Sequence, residues 1–433
     1  MSESATSNPK TTARRSARTA FAGALAEVAA KASQVAGKGS GVAIAGRVML
    51  AVQPNAVDEL AADRDVVIIT GTNGKTTTTR LIRVALEKLG PVASNETGAN
   101  MYNGIAIALH RNAAKQVVLE VDEGYVPMTV DAMRPHVIVL TNLSRDQLDR
   151  IAEVSAIGAK LGAAFAKLPA HGVVVANADD PLVVKAALNA PTQLWVRAGQ
   201  WWTADSTVCP WCAELLHRDE TGWWCDCGRR RPDTEWVMVD DHHLQTPDGR
   251  VLEIDLQLPG RANRANAGLA AAAASLAGVD PEVALRAMST VQEVAGRNAR
   301  YRLGDHTVRV LLGKNPAGWR ELLNMVEEND APLVIAINSR AADSKDVSWL
   351  WDVDFEHLAG RKVVAAGERC HDMAVRLNVA GLGGETGVPV SASTPDAIRL
   401  LPPGDVYVVC SYTQFYDTSV WLRANATQLD GAS

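Results

Sequence analysis

The chain has 433 residues, of which 47% are hydrophobic and 21% are charged, and its formal net charge at pH 7 is −6. This length predicts two or three domains that bury a large core. The acidic balance gives no reason to expect nucleic acid or an anionic membrane as the main partner, and no apolar run approaches the ~20 residues of a membrane span. Glu27 and Lys31 interrupt the apolar stretch after the basic N-terminus, so an export signal is not expected. We expect a cytoplasmic protein in which residues 1–38 form a tail, disordered to about residue 20, and a leading helix.

The most informative stretch is a β-branched strand over Val66–Thr70, a turn with two glycines, and a helix from about Thr76 to Leu89. Backbone N–H groups in such a turn, with the helix N-terminus behind them, form a cradle for phosphate oxygens. In loops of this kind the lysine neutralises the β- and γ-phosphates and the following hydroxyl binds Mg²⁺. The alternative is an ordinary strand–turn–helix. The pattern predicts an ATP-type site formed by Gly71, Thr72, Asn73, Gly74, Lys75, Thr76 and Thr77.

Further short Val/Ile/Leu runs predict buried strands, most of them separated by helical segments, over Val117–Val121, His136–Thr141, Gly172–Ala176 and Gln193–Val196. Buried runs that alternate with helices indicate a mainly parallel sheet covered on both faces. Ligands of such sheets bind beyond the carboxyl ends of the strands, where the phosphate loop also lies.

Acidic and polar side chains follow three of these strands. Glu120, with Asp122 and Glu123 close behind, is placed to hold the Mg²⁺ of a nucleotide. The alternative is a solvated turn, although acids this close repel one another unless a cation shares them. The loops Thr141–Asp149 and Asn177–Pro181 could belong to the same site, or each could simply begin a helix with a capping side chain.

Residues 195–236 differ in composition, since they contain seven of the eleven tryptophans and four of the six cysteines. A Cys-x-x-Cys pair and a Cys-x-Cys pair, formed by Cys209, Cys212, Cys225 and Cys227, resemble a zinc ribbon. Four thiolates satisfy the tetrahedral preference of Zn²⁺ and leave no open position for catalysis. Unligated thiols are the alternative. We predict a zinc-ribbon insertion at about residues 198–236, and we expect Cys370 and Cys410 to be buried structural thiols.

Beyond the insertion the pattern predicts a strand over Leu252–Leu258, helices over about 262–277 and 281–291, and a hinge at Gly296–Asn298. A second α/β alternation follows. Its predicted strands are Val308–Leu312, Leu333–Ile337, Lys362–Ala366 and Val406–Cys410, and its predicted helices are Trp319–Glu328, Arg369–Val379 and Pro395–Leu400. The fold class is therefore α/β, with a P-loop domain over residues 39–297 and a smaller Rossmann-like domain over residues 298–433.

One stretch of the second domain, Asp343–Glu356, interleaves acids with two tryptophans and a phenylalanine. The rings could face the core and the acids water. Aromatic residues beside acids are also typical of a surface that binds a partner protein.

The loop Gly71–Thr77 resembles the shortened phosphate loop of the Mur ligases and the related folylpolyglutamate synthetases, because only two residues separate its glycines. Other elements of that family recur in the same order, namely Glu120, Thr141-Asn142 with Asp146, Asn177–Pro181, and Asn263 and Asn266 on an Ala-rich helix. Within the family, the Cys₄ insertion, Lys314–Trp319 and Asp346–Asp352 resemble the MurT group, the synthetase subunits of glutamine-hydrolysing lipid II isoglutaminyl synthases. The resemblance covers about residues 40–433.

The resemblance implies a Mur-ligase-type central domain in which Glu120 is a Mg²⁺ ligand and the helix carrying Asn266 approaches the adenine of ATP. It implies ATP-dependent amidation of the D-glutamate α-carboxylate of lipid II, through an acyl phosphate. It also implies a GatD-type glutamine amidotransferase partner that supplies ammonia and is bound by the last domain. An aspartate of this chain would complete that partner's catalytic triad, with Asp352 the first choice and Asp346 the second.

Two other functions are consistent with parts of the sequence. The first is a stand-alone amino-acid ligase of the Mur or folate type, against which the zinc insertion and the missing substrate-recognition domain argue. The second is a zinc-ribbon ATPase that binds nucleic acid, against which the scarcity of basic clusters argues.

Overall fold

The computed structural model describes residues 16–36, 40–95, 99–145, 154–292, 299–327, 330–343 and 345–429. The predicted hinge at 296–298 and the acid at position 146 lie outside these residues.

The first domain is built on a nine-stranded sheet that carries a small two-stranded hairpin as an insertion. The sheet strands before the insertion are β1 (Asp65–Thr70), β2 (Val92–Ser94), β3 (Gln116–Glu120), β4 (Val137–Leu140), β5 (Val173–Asn177) and β6 (Thr192–Arg197). The hairpin is β7 (His217–Asp219) and β8 (Gly222–Trp224), and the sheet continues with β9 (Trp236–Met238), β10 (His243–Gln245) and β11 (Val251–Glu253).

The strand order is β11-β10-β9-β6-β5-β4-β1-β3-β2, and the neighbours from β9 to β2 are parallel. This confirms the mainly parallel sheet. The edge strands β10 and β11 are antiparallel. The strand predicted over Leu252–Leu258 ends at Glu253, because the chain leaves the sheet there to reach the next helix.

Helices cover both faces of this sheet, as the buried runs predicted. They are α1 (Ala17–Val35), α2 (Val42–Val52), α3 (Ala56–Ala61), α4 (Lys75–Leu86), α5 (Tyr102–Arg111), α6 (Val126–Met133), α7 (Val154–Phe165), α8 (Pro181–Ala187), α9 (Arg261–Leu276) and α10 (Pro281–Met288). One face packs against α4, α9 and α10, and the other against α1–α3 and α5–α8.

The leading helix begins earlier than the sequence predicted. Ser16 caps α1, and its Oγ donates a hydrogen bond of 2.7 Å to Glu59, which also accepts from Thr19 at 2.5 Å. Ala22, Ala26 and other small residues of α1 are buried against the core of the first domain. The prediction of disorder to about residue 20 is therefore wrong for residues 16–20, which are anchored by this partly buried polar contact.

The second domain has a seven-stranded sheet of order β16-β15-β14-β17-β13-β12-β18. Its strands are β12 (Arg300–Leu303), β13 (His306–Leu312), β14 (Leu333–Ala336), β15 (Val363–Ala366), β16 (Val390–Ser391), β17 (Gly404–Cys410) and β18 (Thr427–Gln428). Its helices are α11 (Pro316–Glu327), α12 (Cys370–Val379), α13 (Thr394–Arg399) and α14 (Tyr412–Asn425). The five strands from β16 to β13 are parallel, which confirms a second α/β domain. The antiparallel edge β12–β18 and helix α14 were not predicted.

Candidate active site

The predicted phosphate loop lies between β1 and α4, and its two glycines have backbone conformations that other residues rarely adopt. Gly71 has φ +126° and Gly74 has φ +83°. A Cβ at Gly71 would lie 2.4 Å from Thr141 Oγ1, and one at Gly74 would lie 2.7 Å from Asn266 Nδ2. Both positions therefore require glycine for conformation and for space.

The loop after β4 supports the phosphate loop from the side. Thr72 N donates to Asn142 O at 3.0 Å, and Asn73 N donates to Asn142 Oδ1 at 3.0 Å. Thr141 Oγ1 donates to Asn73 O at 2.8 Å. Thr141 and Asn142 thus bind the phosphate loop. The alternative of a helix that begins in this loop involves residues 146–149, which lie outside the described residues.

Lys75 is held inside the site by three groups. Its Nζ donates to Gly71 O at 2.5 Å and to Thr72 O at 3.2 Å, and it forms an ion pair with Glu123 Oε2 at 3.2 Å. Both side chains are nearly buried, being 12% and 13% exposed. Burial raises the pKa of Glu123 above its ordinary value, although the Lys75 ammonium opposes that shift.

Glu123 is a site residue that sequence reasoning did not single out. It is the third acid of the run that begins at Glu120, and Glu120 was preferred because the family resemblance makes that residue the Mg²⁺ ligand. The acid run itself was the available signal. Which acid reaches Lys75 depends on the short turn over Glu123–Tyr125, where Asp122 accepts a hydrogen bond from Gly124 N.

Glu120 is buried at the end of β3, with 5% of its surface exposed. Asn100 Nδ2 donates to Glu120 Oε1 at 3.0 Å, and the side chain of Asn95 bonds both backbone groups of Glu120. A solvated turn does not fit this burial. The carboxylate of Glu120 and the hydroxyl of Thr76 are oxygen donors of the kind that Mg²⁺ prefers, so these residues fit that ion by their chemistry.

A cavity of about 260 Å³ adjoins the phosphate loop and lies between the two domains. The first domain contributes Asn73, Gly74, Trp201, Leu258, Asn263, Asn266 and Leu269, and the second contributes Leu311, Ala317, Glu321, Leu322 and Met325. Apolar walls with a few amide groups suit a flat heteroaromatic ligand such as a nucleobase. Asn266 lines this cavity and also packs against Gly74, so it lies near the phosphate loop as well as near the apolar part.

Two contacts beside the cavity join the domains. The side-chain amides of Asn73 and Asn315 exchange hydrogen bonds of 3.3 and 3.2 Å. Arg261 stacks on Trp201, with its guanidinium 5.0 Å from the ring centroid, and pairs with Glu321 at 3.7 Å. Asn315 belongs to a stretch singled out in the sequence, whereas Trp201, Arg261 and Glu321 were missed because no local pattern marks them.

The turn Asn177–Pro181 lines the cavity and also begins α8. Asp180 Oδ1 accepts from Leu182 N at 2.9 Å, while its Oδ2 accepts from Leu143 N at 3.0 Å. Burial raises the pKa of Asp180 to about 6, against the lowering effect of these backbone donors. The capping alternative is therefore confirmed, and the same residue also fixes the loop beside the phosphate site.

The insertion packs on this turn. Trp223 Nε1 donates to Ala178 O at 3.0 Å, and Arg231 pairs with Asp179 at 3.0 Å. The Sγ atoms of Cys209, Cys212, Cys225 and Cys227 lie within 4.8 Å of one another. The pairs Cys209–Cys227 and Cys212–Cys225 have Sγ–Sγ distances of 3.7 and 3.4 Å, whereas ligands of a tetrahedral zinc thiolate site lie about 3.8 Å apart. The cluster is compatible with zinc.

The two tryptophans of the stretch Asp346–Asp352 have different surroundings. Trp349 is buried and contacts Trp319, whereas Trp351 is 57% exposed. Arg376 organises the segment, because its guanidinium donates to Leu350 O and Val353 O.

The two candidate aspartates of this stretch have different surroundings. Asp346 accepts from Ser348 N and Ser348 Oγ, at 2.8 and 2.9 Å. Asp352 lies at the end of the helical turn, and its Oδ2 is 3.5 Å from Arg145 Nη1 of the first domain.

The remaining cysteines do not have the surroundings of nucleophiles. Cys370 and Cys410 are both buried, as expected. Burial raises the pKa of Cys410 to about 12, which leaves its thiol protonated.

Comparison with known proteins agrees with this architecture. Residues 69–274 match the model of the Mur ligase middle domain, and residues 312–415 match the model of the MurT ligase C-terminal domain. The chain therefore combines a Mur ligase middle domain with a MurT ligase C-terminal domain. It is 29% identical to the lipid II isoglutaminyl synthase (glutamine-hydrolyzing) subunit MurT of Streptococcus pneumoniae, over 87% of this chain and 91% of that protein. The protein of the same name from Staphylococcus aureus strain N315 is 29% identical, over 84% of this chain and 88% of that protein.

Solved structures support this fold. MurF from Acinetobacter baumannii superposes with a TM-score of 0.64 at 17% identity, over 88% of this chain and 79% of that chain. At this identity the likeness concerns the fold alone. In the part of the chain that the structure describes, helices of the length and apolarity needed to cross a bilayer are absent.

Proposed function

We propose that this chain is the synthetase subunit of a glutamine-hydrolysing lipid II isoglutaminyl synthase and converts the D-glutamate α-carboxylate of the lipid II stem peptide into an amide. The observation that carries the proposal is the phosphate loop at a cavity shared with a MurT-type second domain. The names of the similar proteins support the same reaction. We place the reaction in the cytoplasm, as part of peptidoglycan synthesis.

The carboxylate must be activated because resonance and negative charge make it a poor electrophile. A carboxylate oxygen attacks the γ-phosphorus of ATP, the bond from that phosphorus to the β–γ bridging oxygen breaks, and ADP leaves. Ammonia then attacks the acyl carbon, the bond to the phosphate oxygen breaks, and one proton is released. The products are the amide, ADP and inorganic phosphate.

In this mechanism the chain offsets charge and excludes water. The Lys75 ammonium moves from the carbonyls of Gly71 and Thr72 to the β- and γ-phosphates, where it stabilises the charge that is transferred. Thr76 and Glu120 would hold Mg²⁺, which offsets phosphate charge when bound. Closure of the second domain over the cavity, through contacts such as Asn73–Asn315, protects the acyl phosphate from hydrolysis.

Free ammonia is scarce at neutral pH, so the proposal includes a GatD-type glutaminase partner that supplies it. Asp352 is our candidate for the aspartate that orients the partner's histidine. Its surroundings support this choice over Asp346, because Asp346 caps the turn through Ser348 whereas Asp352 contacts an arginine across a domain boundary.

We also propose that Cys209, Cys212, Cys225 and Cys227 bind one structural Zn²⁺. The insertion has a small core of its own, in which Trp211 and Trp223 stack with centroids 6.2 Å apart. A cluster of this size needs a metal for stability.

Removing one zinc ligand should unfold the insertion. We expect about one zinc per chain in the wild type and loss of zinc in Cys227→Ser, with new protease cleavage between residues 198 and 236. Elemental analysis and limited proteolysis measure both effects. Cys370→Ala, which removes a thiol outside the cluster, is the control and should keep its zinc. Full zinc content in Cys227→Ser would contradict the assignment.

The proposed reaction is tested with purified chain, ATP, Mg²⁺ and lipid II, with and without the glutaminase partner. With glutamine and the partner, we expect the mass of lipid II to fall by about 1 Da, because an amino group replaces a hydroxyl. One ADP should form for each amide. Without the partner, ammonium chloride should give the same product. Incorporation of an intact amino acid would instead identify a stand-alone ligase and overturn the proposal.

A further inference from the structure

Arg145 lies where three parts of the molecule meet. It follows the loop that supports the phosphate loop, since Ser144 N donates to Thr72 Oγ1 at 3.0 Å and Thr72 Oγ1 donates to Ser144 O at 3.0 Å. Its own backbone N donates to Asp205 Oδ2 at 3.0 Å. Its side chain reaches Asp352 of the second domain.

The guanidinium of Arg145 is held in place by Asp205. Arg145 Nε donates to Asp205 Oδ1, and the side chain of Asp205 is only 6% exposed. Trp202 Nε1 also donates to Asp205 Oδ2, at 2.6 Å, and Trp202 lines the cavity between the domains. A buried carboxylate with several donors is a firm anchor, so the other end of the guanidinium points in a defined direction.

That other end contacts Asp352. The distance from Arg145 Nη1 to Asp352 Oδ2 is 3.5 Å, and both side chains are a little more than one third exposed. The pair therefore crosses from the loop beside the phosphate site to the second domain. It can form only while the two domains are as close as in this structure.

We propose that Arg145 is a positioning residue that links nucleotide binding to partner binding through the carboxylate of Asp352. Because the cavity is lined by both domains, a nucleotide binds better when the domains are closed, and the Arg145–Asp352 pair favours closure. The part concerning the partner rests on the proposed function, in which Asp352 orients a histidine. The carboxylate of Asp352 cannot bind both Arg145 and the partner's histidine at full strength. Formation of this ion pair and binding of the partner therefore oppose each other.

The first experiment needs only this chain and ADP with Mg²⁺. We expect Arg145→Gln and Asp352→Asn each to weaken ADP binding by about 1.5- to 5-fold, the range for a partly exposed ion pair. The double variant should bind ADP no more weakly than the single variant with the lower affinity, because the same contact is lost in all three variants. Titration calorimetry at low salt measures these affinities. At high salt the differences should shrink.

The design separates this pair from the other contacts of Arg145. Arg145→Gln also loses a bond to Asp205, but the double-variant cycle isolates the coupling to Asp352. Arg286→Gln, which removes a surface pair with Glu282 on α10, is the control and should bind ADP like the wild type. Additive losses in the double variant, or unchanged affinity in both single variants, would overturn the proposal.

The second experiment measures the affinity of the chain for the glutaminase partner. In Arg145→Gln we expect tighter partner binding, by a factor similar to the loss in ADP affinity, because Asp352 is released. If Arg145 had only a structural role, Arg145→Gln would weaken both ADP binding and partner binding, and that result would refute the link. If no glutaminase binds the wild-type chain, the proposed function fails, while the ADP cycle still decides whether the pair favours closure.

Discussion

Lys75→Ala is expected to lower the rate of ammonia-dependent amidation by about 10²- to 10³-fold, the usual effect of removing one donor that stabilises transferred charge. In the wild type the ammonium lies 3.2 Å from Glu123 and within hydrogen-bond distance of two loop carbonyls. Without it the nearly buried Glu123 carboxylate loses its cation and repels the phosphates. The rate of ADP formation with lipid II and ammonium chloride, without the partner, measures the effect.

Two variants separate the causes of that loss. Adding Glu123→Gln to Lys75→Ala removes the repulsion but does not restore the cation, so we expect only partial recovery. Lys88→Ala, which changes an exposed lysine just beyond α4, should keep the wild-type rate. A near-normal rate in Lys75→Ala would show that the loop does not act on the transferred phosphate.

Asp352→Asn should lower glutamine hydrolysis by the complex by about 10²- to 10⁴-fold, as loss of an orienting carboxylate does in other triads. An amide cannot stabilise the imidazolium that forms on the partner's histidine. Ammonia-dependent amidation at saturating ATP should stay within about 3-fold of the wild type, because Asp352 touches no reacting atom there and loses only a partly exposed ion pair. The two rates are measured on the same preparation, as glutamate release and amide formation.

Asp346→Asn is the matched control for this experiment, since it lies in the same segment. It changes the carboxylate that accepts the hydrogen bonds of Ser348, so glutamine hydrolysis should remain close to normal. The reverse pattern would move the role to Asp346. Normal hydrolysis in both variants would mean that this chain supplies no member of the partner's triad.

Features encoded by neighbouring residues were predictable from the sequence. Gly71, Gly74, Lys75 and Thr76 lie within six residues of one another, so the strand, turn and helix that they form follow from local conformational preferences. The cysteine spacing likewise brings the thiols together with little help from the rest of the chain. The apolar runs gave the parallel strands of both sheets, because buried strands need β-branched and aliphatic side chains on both faces.

Edge elements were less predictable, because polar and apolar residues are mixed in their sequences. The strands β10, β11, β12 and β18 are short and half exposed, and α14 has many polar residues, so periodicity marks them weakly. The start of α1 depends on Glu59, which is 43 positions away from Ser16. A local pattern contains no information about such a contact.

For this protein, the sequence alone determined the phosphate loop, the cysteine cluster and the two α/β domains. Only the tertiary structure decided that Glu123 pairs with Lys75, that Arg261 meets Glu321, and that Arg145 reaches Asp352. The physical reason is the range of the forces involved. Backbone preferences and side-chain periodicity act over a few residues, whereas the packing of whole domains determines which groups a charged side chain contacts.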